Sequence, residues 1–169
     1  MKKSLVIGSA LMFACHTWAA SPIEGTWYLQ DKANTQAKLD MAVEESVKKI
    51  NFFIRALARP VLEKEAKICE TWALSSDDTH FIWQCGDKKA SELVLSANKS
   101  KILTDDGREV LGTLEHARER VVVVLESDRG KRTNEWTMRN ENELEYSATL
   151  ESSKLPKPLT WTLTYTRIP

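Results

Sequence analysis

From about Lys67 to the C-terminus the chain alternates short β-type runs with tight polar turns, and this pattern limits the fold more than any other feature. The runs are Ile68–Leu74, Thr79–Cys85, Ser91–Ala97, Lys101–Thr104, Glu109–Glu115, Arg120–Ser127, Arg132–Met138, Glu143–Ser152 and Leu159–Ile168, rich in β-branched and aromatic residues. Between them lie Ser75-Ser76-Asp77-Asp78, Asp105-Asp106-Gly107, Asp128-Arg129-Gly130 and Asn140-Glu141-Asn142. These residue types tolerate left-handed backbone or bond their own main chain, so they serve as turns. Many short strands joined this way predict a mainly β antiparallel barrel or sandwich. Lys154-Leu155-Pro156-Lys157-Pro158 reads as an extended connection before the last strand.

Ahead of this region, Ile23–Leu29 reads as a first strand and a helical stretch follows it. Leu39, Val43, Val47, Ile50, Ile54 and Leu57 recur at steps of three and four, the stripe of an amphipathic helix, which Phe52 and Phe53 widen. Asn34 or Thr35 caps its start, and Pro60 ends or kinks it. Val61–Glu65 is then a second short helical turn. Glu44–Lys48 and Glu45–Lys49 stand at supportive spacings on the polar face.

The N-terminus has the order of a secretory signal: Lys2-Lys3, an apolar run from Leu5 to Ala14, then small residues. The run is shorter than the ~20 residues of a membrane-spanning helix. Cleavage after Ala19 puts Thr17 and Ala19 at the two positions that need small side chains, making 1–19 a signal peptide and 20–169 one domain. The alternative, lipidation at Cys15, meets Met12 and Phe13 where a lipobox has leucine and a small residue. Without Lys2 and Lys3 the 24 basic residues become 22, against 24 acidic ones, a net charge of −2. The basic residues form no patch, which disfavours nucleic acid as a partner. The expected address is the periplasm or the medium. Removal of Cys15 leaves Cys69 and Cys85, an even pair in an oxidising compartment. They are expected to form a disulfide, the alternative being two free buried thiols. A hairpin register pairing Leu74 with His80 and Trp72 with Ile82 also brings Cys69 opposite Cys85, with Thr71, Ala73, Phe81 and Trp83 on the cysteine face.

The order strand, helix pair, then a meander of about nine strands resembles the calycin group, the lipocalins and fatty-acid-binding proteins. Gly25-Thr26-Trp27 matches the Gly-x-Trp that opens the first strand of those barrels. The fatty-acid-binding branch carries a helix–turn–helix where this chain has Leu39–Ala58. Its last strand carries Arg-x-Tyr facing the cavity, and Tyr165-Thr166-Arg167 has both residue types at that spacing in reverse order. The resemblance implies an up-and-down lipocalin-like barrel of about eight to ten strands, with a helix or helix pair between strands 1 and 2. It also implies a lipid or other apolar small molecule as ligand. Lys48–Arg55 and Lys154–Thr160 are further similar to a group of uncharacterised exported bacterial proteins, which implies no activity.

No catalytic or metal constellation stands out. His80 and His116 lack partners at ligand spacing, and Asp77-Asp78 and Asp105-Asp106-Gly107 lack the further oxygens a calcium loop needs. No Gly-x-Ser-x-Gly elbow and no phosphate-cradling glycine loop occurs, so no enzyme activity and no cofactor are expected. The aromatics carry more information. Trp161, Leu163, Tyr165 and Arg167 share one face of the last strand, while four threonines line the other, so the aromatic face points inward. Leu144, Tyr146, Ala148 and Leu150 form a matching face on the preceding strand, and Trp136 lies one strand further back. Val121–Leu125 is apolar on both faces, which predicts that the helix or another layer covers it. The expected ligand contacts are Trp161, Tyr165, Arg167, Tyr146 and Trp136, with Arg167 and Tyr165 at a polar head and Trp161 at an apolar tail. The alternative is a protein-interaction module, an inhibitor or envelope factor, in which the same face fills the core.

Overall fold

The computed structural model describes residues 21–95, 98–104 and 107–168, so the signal segment 1–19 lies outside the described residues. The chain runs β1 (Gly25–Leu29), α1 (Lys32–Lys49), α2 (Phe52–Glu65), β2 (Thr71–Ser76), β3 (His80–Cys85), β4 (Ser91–Val94), β5 (Ser100–Leu103), β6 (Glu109–Ala117), β7 (Arg120–Ser127), β8 (Gly130–Asn140), β9 (Glu143–Glu151) and β10 (Leu159–Arg167). All ten strands join one antiparallel sheet in the order β4-β3-β2-β1-β10-β9-β8-β7-β6-β5. The first strand pairs with the last, which curls the meander into a nearly closed barrel. The remaining seam lies between β4 and β5. Leu93 of β4 reaches across it: a Cβ on Gly112 of β6 would lie 2.6 Å from a Leu93 methyl. The missing side chain makes the room in which Leu93 is buried.

Both helices fall between β1 and β2, as the sequence implies, but the apolar stripe is not one helix. The chain breaks at Ile50, which is extended, and Asn51 restarts the helix by accepting from the Phe53 N–H at 3.0 Å. The N-cap of α1 is Asp31, not Asn34 or Thr35: its left-handed backbone and its carboxylate, which takes the Asn34 N–H, satisfy the first turn. Pro60 lies inside α2 and does not end it. Arg55 closes the helix hairpin by donating to the main-chain oxygens of Lys48 at 2.7 Å and Ile50 at 3.3 Å, carbonyls that the end of α1 leaves unpaired. Arg59 adds a two-pronged pair with Glu44. Leu39, Val43, Val47, Ile50 and Leu62 are buried, whereas Phe52, Phe53 and Leu57 of α2 remain exposed.

The Cys69–Cys85 disulfide is present, with Cα atoms 5.6 Å apart. The register around it differs from the expected one: Trp72 stands opposite Cys85 and Leu74 opposite Trp83. Cys69 precedes the ladder rather than facing Cys85 within it. An odd shift of three residues turns Trp72 and Leu74 onto the buried face with Phe81 and Trp83, and Ala73 outward. Burial of two more large apolar side chains is what selects this register. The turn is also tighter, spanning Asp77 to His80. The Asp77 carboxylate accepts from the N–H and hydroxyl of Thr79 and from the His80 N–H, bonds that hold its pKa down to about 2.

The inward faces of β9 and β10 are as expected, with Leu144, Tyr146, Ala148, Leu150, Trp161, Leu163 and Tyr165 buried. Val122, on the outer face of β7, is buried not under a second layer but between its cross-strand partners Glu115 and Glu135, which Arg120 links. At the β7–β8 turn Gly130 has φ +148°, and a Cβ there would lie 2.3 Å from the Glu151 carbonyl oxygen. A Gly130→Ala change combines strained backbone with a main-chain clash, and is expected to cost about 2 kcal/mol, read as a lower urea midpoint at unchanged slope.

Candidate ligand-binding cleft

Strand register orients the barrel. Arg132 pairs with Leu150 and Leu150 with Leu159, which puts the starts of β8 and β10 at one end. Arg167 ends β10 eight residues later, about 26 Å away at strand rise. The two ends differ in packing. At the Arg167 end, the Arg167 guanidinium lies 4.4 Å over the Trp27 ring and donates to the Pro22 carbonyl, while the Trp27 indole donates to Ile23 at 2.9 Å. Ile23 and Trp27 are fully buried there. Above them Trp136 sits at the centre of an aromatic box, with ring centroids 5.3 Å from Trp72, 5.5 Å from Tyr146, 5.9 Å from Phe81 and 6.3 Å from Trp83. This half of the interior is filled.

The other end is open. Between α2 and the ends of β6 to β9 lies a cleft of about 860 Å³, within the usual range for small-molecule sites. Ile54, Leu57, Val61 and Leu62 of α2 form one wall, and Val110, Leu125 and Leu150 the opposite one. Arg132 lines it as well, and each of its three guanidinium nitrogens donates a hydrogen bond. Nε donates to Asn134 Oδ1 at 2.9 Å and Nη2 to the Tyr146 hydroxyl at 3.2 Å. Nη1 donates to the Glu65 carbonyl at 2.9 Å and to Glu65 Oε2 at 3.0 Å. The Tyr146 hydroxyl in turn donates to Asn134 Oδ1 at 2.8 Å. Trp161 lies beneath, its ring centroid 5.7 Å from the guanidinium carbon. Burial works against the charged guanidinium, but the Tyr146 hydroxyl and the Glu65 carboxylate outweigh it and raise its pKa. A guanidinium held this way, in a cleft that Lys64, Arg108 and Lys154 also line, has the geometry to pair with a carboxylate, as it does with that of Glu65.

The five contacts expected from sequence are therefore distributed. Tyr146 and Trp161 meet at Arg132, and Trp136 stands behind Tyr146 in the aromatic box. Tyr165 is fully buried and its hydroxyl donates to the Cys69 carbonyl at 2.6 Å; burial, foremost, pushes that hydroxyl's pKa well up. Arg167 is at the far end on Trp27. Arg132, Asn134 and Glu65 were not singled out by sequence reasoning. The available signal was the step Arg132-x-Asn134-x-Trp136, which puts two polar residues on the same inward face as a buried tryptophan.

The architecture has clear counterparts among solved structures. The fold is that of the fatty-acid-binding proteins. A Schistosoma mansoni fatty acid binding protein in complex with arachidonic acid is 14% identical, with 88% of this chain and 98% of that chain covered at a TM-score of 0.54. The REP1-NXSQ fatty acid transporter is 12% identical, covering 87% of this chain and 96% of that chain at a TM-score of 0.52. Echinococcus granulosus fatty-acid-binding protein 1 is 14% identical, covering 88% and 98% at a TM-score of 0.50. No family model matches the chain, and no curated protein matches it significantly. Among the described residues no helix is long and apolar enough to cross a membrane, and no group of three or more His, Cys, Asp or Glu side chains could hold a metal ion.

Proposed function

We propose that the chain is an exported, non-enzymatic binding protein that holds a carboxylate-bearing lipid in the cleft under α2. The tail lies between α2 and the walls of β6, β7 and β9, and the carboxylate is held by Arg132, with Tyr146 and Trp161 fixing the guanidinium. The observation that carries this reading is a half-buried arginine, its side chain 25% exposed, in a cleft with apolar side chains on two walls and further basic residues, Lys64, Arg108 and Lys154 among them, in its lining. A fold shared with fatty-acid-binding proteins supports it. Export rests on the signal-like residues 1–19, and N-terminal sequencing of secreted protein is expected to begin at Ala20.

The test is displacement of a fluorescent fatty-acid probe by oleate and by oleyl alcohol. Arg132→Met is expected to weaken oleate by about 10- to 100-fold, the scale of a hydrogen bond to a charged group, and to leave the alcohol unchanged. Equal affinity of wild type and variant for oleate contradicts the assignment. The second reading, a protein-interaction module, draws on Phe52 and Phe53, 75% and 86% exposed on α2. It gains if no lipid co-purifies with the exported protein and if exchange of both phenylalanines for serine abolishes capture of a defined protein partner.

A further inference from the structure

Glu65 is the last residue of α2, and it stands between two arginines. Its Oε2 accepts from Arg132 at the cleft floor at 3.0 Å, and its Oε1 lies 3.9 Å from Nη2 of Arg108 at the cleft wall. Arg132 also holds the Glu65 carbonyl, so one guanidinium grips both the side chain and the final turn of the helix. A cation at a helix C-terminus is favourable in itself. Resting on the reading that Arg132 is the carboxylate seat, we propose that Glu65 is the specificity-determining residue of the cleft: it occupies that seat in the free protein and moves to Arg108 when an anionic lipid takes its place.

The charges require some such exchange. A lipid carboxylate reaching Arg132 with Glu65 still in place sets two anions on one partly buried guanidinium, and like charges that close repel. Rotation of Glu65 toward Arg108, already 3.9 Å away, gives each anion a guanidinium: lipid with Arg132, Glu65 with Arg108. A neutral head group offers Arg132 nothing to replace the Glu65 carboxylate and leaves the pair closed. Glu65 therefore sets the margin between the two classes: an anionic amphiphile binds less tightly than it would to an unoccupied Arg132, whereas a neutral one binds as it would without Glu65. The exchange also releases the side-chain half of the grip on α2, so anionic ligand loosens the last turn of that helix.

The experiment compares wild type, Glu65→Gln, Arg108→Gln and the double variant, each titrated with oleate and with oleyl alcohol, with hydrogen exchange followed along α2. Removing the internal competitor in E65Q is expected to tighten oleate about tenfold and to leave the alcohol unchanged. R108Q, which removes the alternative seat, is expected to weaken oleate several-fold, and this loss is expected to vanish in the E65Q background, because the two residues act through one exchange. Oleate is expected to speed exchange at the last turn of α2 in wild type and not in E65Q. Oleate binding that depends on Arg132 but is weakened or unmoved by E65Q overturns the exchange and leaves the carboxylate seat standing. Absence of oleate binding in all four proteins overturns both.

Discussion

Replacing Trp136 with alanine is expected to destabilise the protein by about 3–5 kcal/mol, the range for truncating a large aromatic in a packed core. Trp136 is fully buried, and four aromatic rings from β2, β3 and β9 surround it. Those neighbours cannot collapse into the space. Trp136 pairs with Val121 on one side and Tyr146 on the other, so β8 is held in place by ladders on both edges. Trp136→Phe is expected to cost much less than the alanine change. The indole N–H of Trp136 finds no acceptor among the described residues, so the smaller ring removes an unpaired donor along with some packing. Urea unfolding measures both: the midpoint falls in the order wild type, phenylalanine, alanine at unchanged slope. Because Trp136 packs against Tyr146, which holds Arg132, the alanine variant is also expected to weaken oleate binding more than alcohol binding.

Loss of the Cys69–Cys85 disulfide is the second large effect. The bridge closes a loop with a sequence separation of 16, for which the chain-entropy model gives about 3 kcal/mol. For a domain of this size that corresponds to a fall in melting temperature of about 6–12 °C. The bridge also fixes a contact that joins separate strands. Cys69 offers its carbonyl to the Tyr165 hydroxyl of β10, and the neighbouring Glu70 carbonyl accepts from Leu29 at the end of β1. The double change Cys69→Ser and Cys85→Ser is expected to lower the thermal midpoint to that of reduced wild type. A midpoint unmoved by reductant contradicts the prediction.

These two effects rest on parts of the fold that differ in how far they can be read from the residues. Strands such as Leu159–Arg167, with apolar and threonine faces in strict alternation, are legible because one face is buried and the other is not. The helix break at Ile50-Asn51 is not, because the apolar steps run on through Ile54 and Leu57. Those two side chains belong to a cleft wall rather than to the core, and periodicity cannot tell the two apart. The β2–β3 register escaped for a related reason. A cysteine pair suggested one alignment, and the joint burial of Trp72, Leu74, Phe81 and Trp83 imposed another. Tyr146 and Trp161 were within reach of strand alternation, which gives the inward face. Their partner Arg132 was not, because its meaning comes from Glu65, which is 67 residues away in sequence and on a helix. Separations of that size are set by tertiary packing alone. Arg167 illustrates the converse: its spacing from Tyr165 was readable, but its height along the barrel follows only from the ladder that carries it to the far end.

The seat of a bound lipid's head group decides between these arrangements, and a crystal structure of the protein with oleate tests it most directly. The expected result is the tail in the cleft against Leu57, Val61 and Leu150, with the carboxylate within hydrogen-bonding distance of Arg132 and Glu65 turned toward Arg108. A carboxylate directed to solvent, or seated near Arg167 with the Arg132–Glu65 pair intact, contradicts it.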